Sequence, residues 1–382
     1  MRPSCGPFTS VRRSFVSQAP TLLDPVTIGG LDLSNRVIMA PLTRARAGAT
    51  GVPGALNVEY YVQRASAGMI LTEATNVSPM SNAFDCAPGI WRSDQVNGWR
   101  SVTEAVHGAG GRILLQLWHG GRVGAKGLLD GREPVSPSGV NDDLDALEVW
   151  GQLANGHYVK IKATPSRALS TDEVEAVIEE YRVGAANAKA AGFDGVEIHA
   201  ANGYLPHQFL SSATNRREDR YGGSPENRVR FLSEVVDAAT SAFPPDRVGV
   251  RLSPYAPYNH ALDDDPPSTY GHAAAMLDAK GLGYVHLADT AAFATGKPAL
   301  PQILQDVKPH FRGSVIVNGG ISPADAATLI TDRAADAVAF GRLFIANPDL
   351  PERIRGGAGL NEFIYDTAYG GSAHGYIDYP SL

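Results

Sequence analysis

Several aliphatic runs in this 382-residue chain end in side chains that do chemistry. The run Val37-Ile38-Met39-Ala40 leads into Pro41-Leu42-Thr43-Arg44, and residues 112–117 carry Gln116 into Trp118-His119-Gly120-Gly121-Arg122. Residues 195–199 lead through Glu197 and His199 into Ala200-Ala201-Asn202-Gly203-Tyr204, and Arg251-Leu252-Ser253-Pro254 closes a further run. Two more end in glycines, Asn318-Gly319-Gly320-Ile321-Ser322-Pro323 and Phe340-Gly341-Arg342-Leu343. Paired glycines let a ligand approach the backbone, a following helix N-terminus offers unpaired N–H groups to an anion, and Arg342 adds a bidentate phosphate contact. A phosphate at one end, with hydrogen-bonding Thr43 and Gln116 and cationic Arg251 at the other, suits FMN. Arg251 would stabilise the anion that forms when an isoalloxazine accepts a hydride. A single strand-end His or Arg is usually a satisfied core or rim group. The coincidence of Thr, Gln, His/Asn/Tyr and Arg at four strand ends outweighs that reading.

Other chemistries have less support. No GxGxxG follows a strand, and neither a GxxxxGK[ST] loop nor a GxSxG elbow occurs, which speaks against Rossmann, P-loop and hydrolase sites. No run ends in Lys, against a Schiff-base aldolase. A metal site from His119, Glu197 and His199 is a minority alternative, because Glu197 and His199 share a strand face. Arg251 in the same pocket disfavours a cation, so no metal is expected.

Placing these residues together requires an α/β frame. Eight near-continuous apolar runs, at 37–40, 69–72, 112–117, 195–199, 248–252, 284–288, 314–318 and 337–340, read as parallel strands covered on both faces. Helical segments lie between them. The clearest is 171–191, opened by Ser170 with Glu173 at capping-box spacing, followed by 227–240 and by 323–330 behind Ser322 and Pro323. This order predicts a single (β/α)8 TIM barrel, whose catalytic face is formed by the C-terminal ends of the strands. The stretch 123–169 after the third strand exceeds an ordinary βα loop and predicts a lid or hairpin beside the site.

Composition narrows the partners. With 33 basic and 40 acidic side chains the net charge is −7, which excludes bulk electrostatic binding to nucleic acid or an anionic membrane. Two cysteines, Cys5 and Cys86, rule out a disulfide framework, a four-thiolate zinc site and an iron–sulfur cluster. No apolar run is long enough to span a bilayer. Residues 1–20 read as a flexible extension ahead of a barrel at 21–382. Their Arg- and Ser-rich, acid-free composition also fits a transit peptide, so the expected location is cytoplasmic, with mitochondrion or plastid as the alternative.

The ordered motifs resemble the old yellow enzyme family of FMN-dependent ene-reductases over nearly all of 21–382. The matching stretches are 35–44, Gln116-Leu117-Trp118-His119, 198–205, Asn215-Arg216-Arg217, 219–224, Phe340-Gly341-Arg342, 347–350 and 375–380. The resemblance implies that Thr43 hydrogen-bonds the flavin near O4 and N5, and that Pro41, Leu42 and Ala74 line the ring. It places Gln116 at the pyrimidine end, Arg251 beside N1 and O2, and Gly319, Gly320, Gly341 and Arg342 at the phosphate. It further implies that His199 and Asn202 hydrogen-bond the carbonyl of an α,β-unsaturated compound and that Tyr204 protonates Cα. Trp118, Phe84, Phe293 and Tyr369 would line the acceptor pocket, Phe293 as a gate. NAD(P)H, with NADPH favoured, would reduce FMN and leave before the activated alkene enters.

The departures concern substrate fit. Phe84 stands where the family often has a tyrosine, and Ala368 where an aromatic is common, which predicts a wider pocket next to Tyr369. The competing readings are a related FMN barrel with another acceptor and a non-catalytic flavin-binding protein. The protein is expected to be a monomer or a homodimer.

Overall fold

The computed structural model describes residues 19–291 and 295–382. Most of the predicted extension 1–20, and the predicted gate Phe293, therefore lie outside the described residues. Eight parallel strands close into a barrel: β1 (Val37–Met39), β2 (Met69–Leu71), β3 (Ile113–Trp118), β4 (Gly195–Ala200), β5 (Val248–Leu252), β6 (Tyr284–Ala288), β7 (Ser314–Asn318) and β8 (Ala337–Phe340). Strand β8 returns to β1 through Val338↔Val37 and Phe340↔Met39, which completes the circle. This is the (β/α)8 barrel that the eight aliphatic runs predict, each strand burying one face inside and the other beneath helices.

The helices start where their caps dictate. Ser170 Oγ accepts the Glu173 N–H at 3.2 Å while Glu173 Oε2 takes the Ser170 N–H at 2.9 Å, a reciprocal box opening Thr171–Ala190. The helix Pro225–Thr240 begins two residues before the apolar period suggests, because Ser224 caps it and Pro225 fills the first position.

The barrel interior is layered. Ile38, Met69, Leu114, Tyr284, Ile316 and Ala337 fill the lower part. An antiparallel hairpin, Val26–Ile28 with Leu31–Leu33, plugs the N-terminal mouth with Ile28, Leu31 and Leu33. Sequence periodicity misses this plug, since three-residue strands are too short to show alternation. Gly249 on β5 makes room for the inward Tyr284 ring, which a Cβ there would overlap. One layer higher the inward positions turn polar: Gln116, Glu197, His199, Arg251 and His286 are all buried.

Two further segments shape the catalytic face. The excursion after β3 contains an antiparallel hairpin, Glu148–Gln152 with Tyr158–Lys162, so the hairpin alternative holds. It is stitched to the loop after β2: the Trp150 N–H donates to Ala83 O at 3.1 Å, the Asp85 N–H to Trp150 O at 2.8 Å, and the Tyr158 hydroxyl to Asp85 O at 2.6 Å. The C-terminal tail is held by two buried arginines from the loop after β1. Arg44 donates to the carbonyls of Ala368 at 2.8 Å and Gly375 at 2.7 Å, and Arg46 to those of Thr367 at 2.9 Å and Ser372 at 3.0 Å. Among the described residues, no helix is long and apolar enough to cross a membrane.

Candidate active site

The strand ends bring two groups of side chains together. On the first, Arg251 (β5) donates through Nη2 to Asn318 Oδ1 at 3.0 Å, and Asn318 Nδ2 donates to Ala339 O at 2.8 Å. Burial lowers the Arg251 pKa and Glu197 opposes that shift; a guanidinium stays charged regardless. Gln116 (β3) donates through Nε2 to Glu197 Oε1 at 2.7 Å. Gln116 Oε1 and Arg251 Nε are both buried without a partner among the described residues. Such atoms call for a ligand offering both an N–H donor and acceptors.

Pro41, Leu42 and Thr43 follow β1, with Pro41 buried and Leu42 and Thr43 half-buried. Their loop is anchored by fully buried Glu73, whose Oε2 accepts the N–H groups of Arg44 and Ala45, each at 3.0 Å. Burial raises the Glu73 pKa while these backbone donors work against the rise. Ala74 follows immediately and packs with Trp118 and Tyr204. Gly319 and Gly320 leave β7, and Gly341 and Arg342 leave its neighbour β8. A Cβ at Gly319 would lie 2.7 Å from Asp289 Cβ, and one at Gly341 would lie 3.2 Å from Leu42 Cδ1. Gly341 caps the helix Arg342–Ala346 without a side chain, and Arg342 is exposed. The two orphaned polar atoms, Gln116 Oε1 and Arg251 Nε, fit the ring edge of FMN.

The second group faces the open mouth. The Ala201 N–H donates to His199 Nδ1 at 3.3 Å, so the neutral imidazole carries its proton on Nε2. Burial first, and Arg251 next, hold the His199 pKa well below its ordinary value. Asn202 adopts a left-handed φ of +57°, which asparagine tolerates better than most residues. Its N–H donates to Ser253 Oγ at 2.8 Å and its carbonyl accepts from Asn259 Nδ2 at 2.8 Å. Tyr204 stands edge-on to Trp118 and His199, with centroids 5.1 and 5.0 Å away. Burial raises its phenol pKa above the ordinary value, so the proton stays on the oxygen at any working pH.

A cavity of about 360 Å³ opens over Tyr204, with Phe84, Trp150, Lys160 and Tyr258 in its walls. Phe84 packs on Trp118 at 6.0 Å and on Tyr369 at 5.6 Å. Trp150 from the hairpin lies 4.7 Å from Tyr369, supplying aromatic bulk where Ala368 predicts extra width. His119, Glu197 and His199 do not converge. His119 Nδ1 accepts the Gly121 N–H at 3.0 Å in the loop after β3, while Glu197 is engaged with Gln116 and His286.

The sequence profile of the NADH:flavin oxidoreductase / NADH oxidase family matches residues 21–361. The chain belongs to the old yellow enzyme family. This old yellow enzyme is similar to putative 12-oxophytodienoate reductase 11 of Oryza sativa subsp. japonica, at 41% identity over 96% of this chain and 99% of that protein. Among solved structures it is similar to morphinone reductase, at 47% identity over 96% and 97% of the two chains, with a TM-score of 0.92. It also resembles a complex of morphinone reductase with tetrahydroNAD, at 48% identity over 95% and 98% of the chains, with a TM-score of 0.89. The chain is thus an oxidoreductase of old yellow enzyme type, in a family of flavoproteins served by FMN and a nicotinamide donor.

Four residues that hold backbone at this site receive no role from motif reading. Glu73 acts on backbone amides, and Ser253 and Asn259 hold both sides of the Asn202 peptide. His207 Nδ1 accepts the Gly203 N–H at 2.8 Å while its Nε2 lies 2.8 Å from the Tyr270 hydroxyl. The one available signal is Asn259 itself, left-handed at φ +53° in a Tyr-Asn-His turn.

The buried histidines make stability depend on pH. Burial lowers the pKa of His119 to about 3 and of His207 to about 4, and holds His199 low as well. The unfolded chain, with histidine pKa near 6.5, binds the extra protons, so stability is complete above about pH 6.5 and is lost as pH falls toward the folded values. Each histidine contributes a slope of at most about 1.4 kcal/mol per pH unit. Glu73 and Glu180, with raised pKa values, work in the opposite direction, but the three histidines outnumber them. Thermal melts are expected to show Tm falling from pH 7 to pH 5; a flat or rising Tm would contradict the buried neutral imidazoles.

Proposed function

We propose that this old yellow enzyme uses NADH or NADPH to reduce the C=C bond of an α,β-unsaturated carbonyl or nitro compound. The observation that supports it is the meeting of three groups at the barrel mouth: the His199 Nε2–H, left-handed Asn202 and the protonated Tyr204. Thr43, Gln116 and Arg251 would hold the ring of FMN, with Pro41, Leu42 and Ala74 against its edge. Gly319, Gly320, Gly341 and Arg342 would receive its phosphate. FMN, when bound, would supply the hydride-transfer chemistry that links the nicotinamide donor to Cβ of the alkene.

The protein's own groups supply the rest. His199 and Asn202 donate to the acceptor's oxygen and stabilise the negative charge that grows there as Cβ is attacked. Tyr204 gives its proton to Cα. Trp118, Phe84, Trp150 and Tyr369 surround the acceptor with apolar rings that exclude water from the reacting carbons.

An anaerobic titration tests the reading. The purified protein should be yellow, NADH or NADPH should bleach it without oxygen, and cyclohexenone should restore the colour. A colourless protein that takes up no FMN would remove the flavin, and bleaching that no enone reverses would remove the alkene acceptor.

A further inference from the structure

The polar layer of the barrel contains one carboxylate that the proposed reaction does not use. Glu197 on β4 is fully buried and paired in register with Gln116 on β3. Its Oε1 accepts from Gln116 Nε2 at 2.7 Å, and its Oε2 lies 2.9 Å from Nδ1 of His286 on β6. Both Glu197 oxygens are therefore engaged, one by the neighbouring strand β3 and one across the barrel interior by β6, and the carboxylate has no freedom to turn. A carboxylate oxygen accepts hydrogen bonds, so only the NH2 end of the Gln116 amide fits against it. The other end of the amide, Oε1, is left buried and without a partner among the described residues.

We propose that Glu197 is a positioning residue that fixes which end of the Gln116 amide faces the cofactor. An amide that is free to flip offers a ligand either a donor or an acceptor at nearly the same place. Glu197 removes that choice, and the ligand meets an acceptor. The imide N–H of an isoalloxazine is the complementary donor, whereas a ring edge presenting only carbonyl oxygens would meet Oε1 unfavourably. His286 completes the device by holding the second carboxylate oxygen. A motif search would not separate Glu197 from a metal ligand; its two hydrogen bonds do.

The proposal rests on FMN binding by this chain, and the experiment separates the two. Apoprotein of wild type, Glu197→Gln, Gln116→Ala and the double variant is titrated with FMN, and quenching of flavin fluorescence gives each dissociation constant. Gln at position 197 can accept or donate, so Gln116 regains its freedom to flip. We expect Glu197→Gln to weaken FMN binding about tenfold, the scale of one buried hydrogen bond lost. In the Gln116→Ala background the same substitution should change affinity less than about twofold, because no amide remains to orient. The near-ultraviolet absorption band of bound flavin should likewise shift with Glu197→Gln only when Gln116 is present. Equal losses in both backgrounds, or no loss in either, would overturn the proposal. If Glu197→Gln fails to fold, His286→Asn keeps the carboxylate but frees its second oxygen, and its smaller loss must show the same dependence on Gln116. Absence of FMN binding by wild type would instead defeat the flavin reading.

Discussion

Replacing Tyr204 by Phe is expected to slow the reduction of weakly activated enones by about 10²–10⁴-fold, the range of one lost general acid. Bleaching of the flavin by NADH or NADPH should change little. The substitution is clean, because the ring's edge-on contacts with Trp118 and His199 involve carbons that phenylalanine keeps. It removes only the hydroxyl whose proton burial secures. Acceptors whose product anion is stable in water, such as nitroalkenes, should lose least, since solvent can protonate them later. Stopped-flow measurement of the two half-reactions decides the matter. Equal loss in both would place Tyr204 in nicotinamide or flavin binding and remove it as the proton donor.

The second large effect concerns the oxygen of the acceptor. His199→Ala should lower the rate of enone reduction by about 10²–10³-fold, the usual consequence of losing one preorganised donor to a developing oxyanion. Enone affinity should fall with it, because the same Nε2–H binds the ground-state carbonyl. The wild-type rate should follow no histidine titration between pH 5.5 and 8, since burial and Arg251 keep this ring neutral. A sigmoidal dependence with a midpoint near 6.5 that disappears in His199→Ala would contradict the neutral donor. Asn202 then becomes the sole remaining donor of the pair, and its left-handed backbone, held by Ser253 and Asn259, accounts for how it stays in place.

Legibility from sequence followed the range of the physics. Strands β5, β6, β7 and β8 begin and end where the apolar runs do, because a strand buried on both faces leaves an uninterrupted aliphatic signature. The proposed catalytic cluster could be assembled from sequence for a simpler reason: His199, Asn202 and Tyr204 lie within six residues of one another. Residues that act through distant backbone were not. Glu73 holds amides about thirty positions upstream, and Asn259 reaches a carbonyl more than fifty positions away, separations that no local pattern encodes. Trp150 was hidden differently. A lid or hairpin within 123–169 could be expected, but which surface it would meet depends on Ala83 and Asp85.

That hairpin has a consequence for how such an enzyme diversifies. Gln116, Glu197, His199, Arg251 and His286 sit on barrel strands whose register every neighbour shares, so a change there would disturb the proposed flavin contacts and the proposed chemistry together. Trp150 reaches the wall of the proposed acceptor cavity from a two-stranded ribbon outside the barrel sheet, fastened to a loop. Selection for a new substrate shape and selection for the redox step consequently fall on different stretches of the gene. A lineage, or a laboratory library confined to 148–162, can explore acceptors while inheriting an intact electron-transfer apparatus.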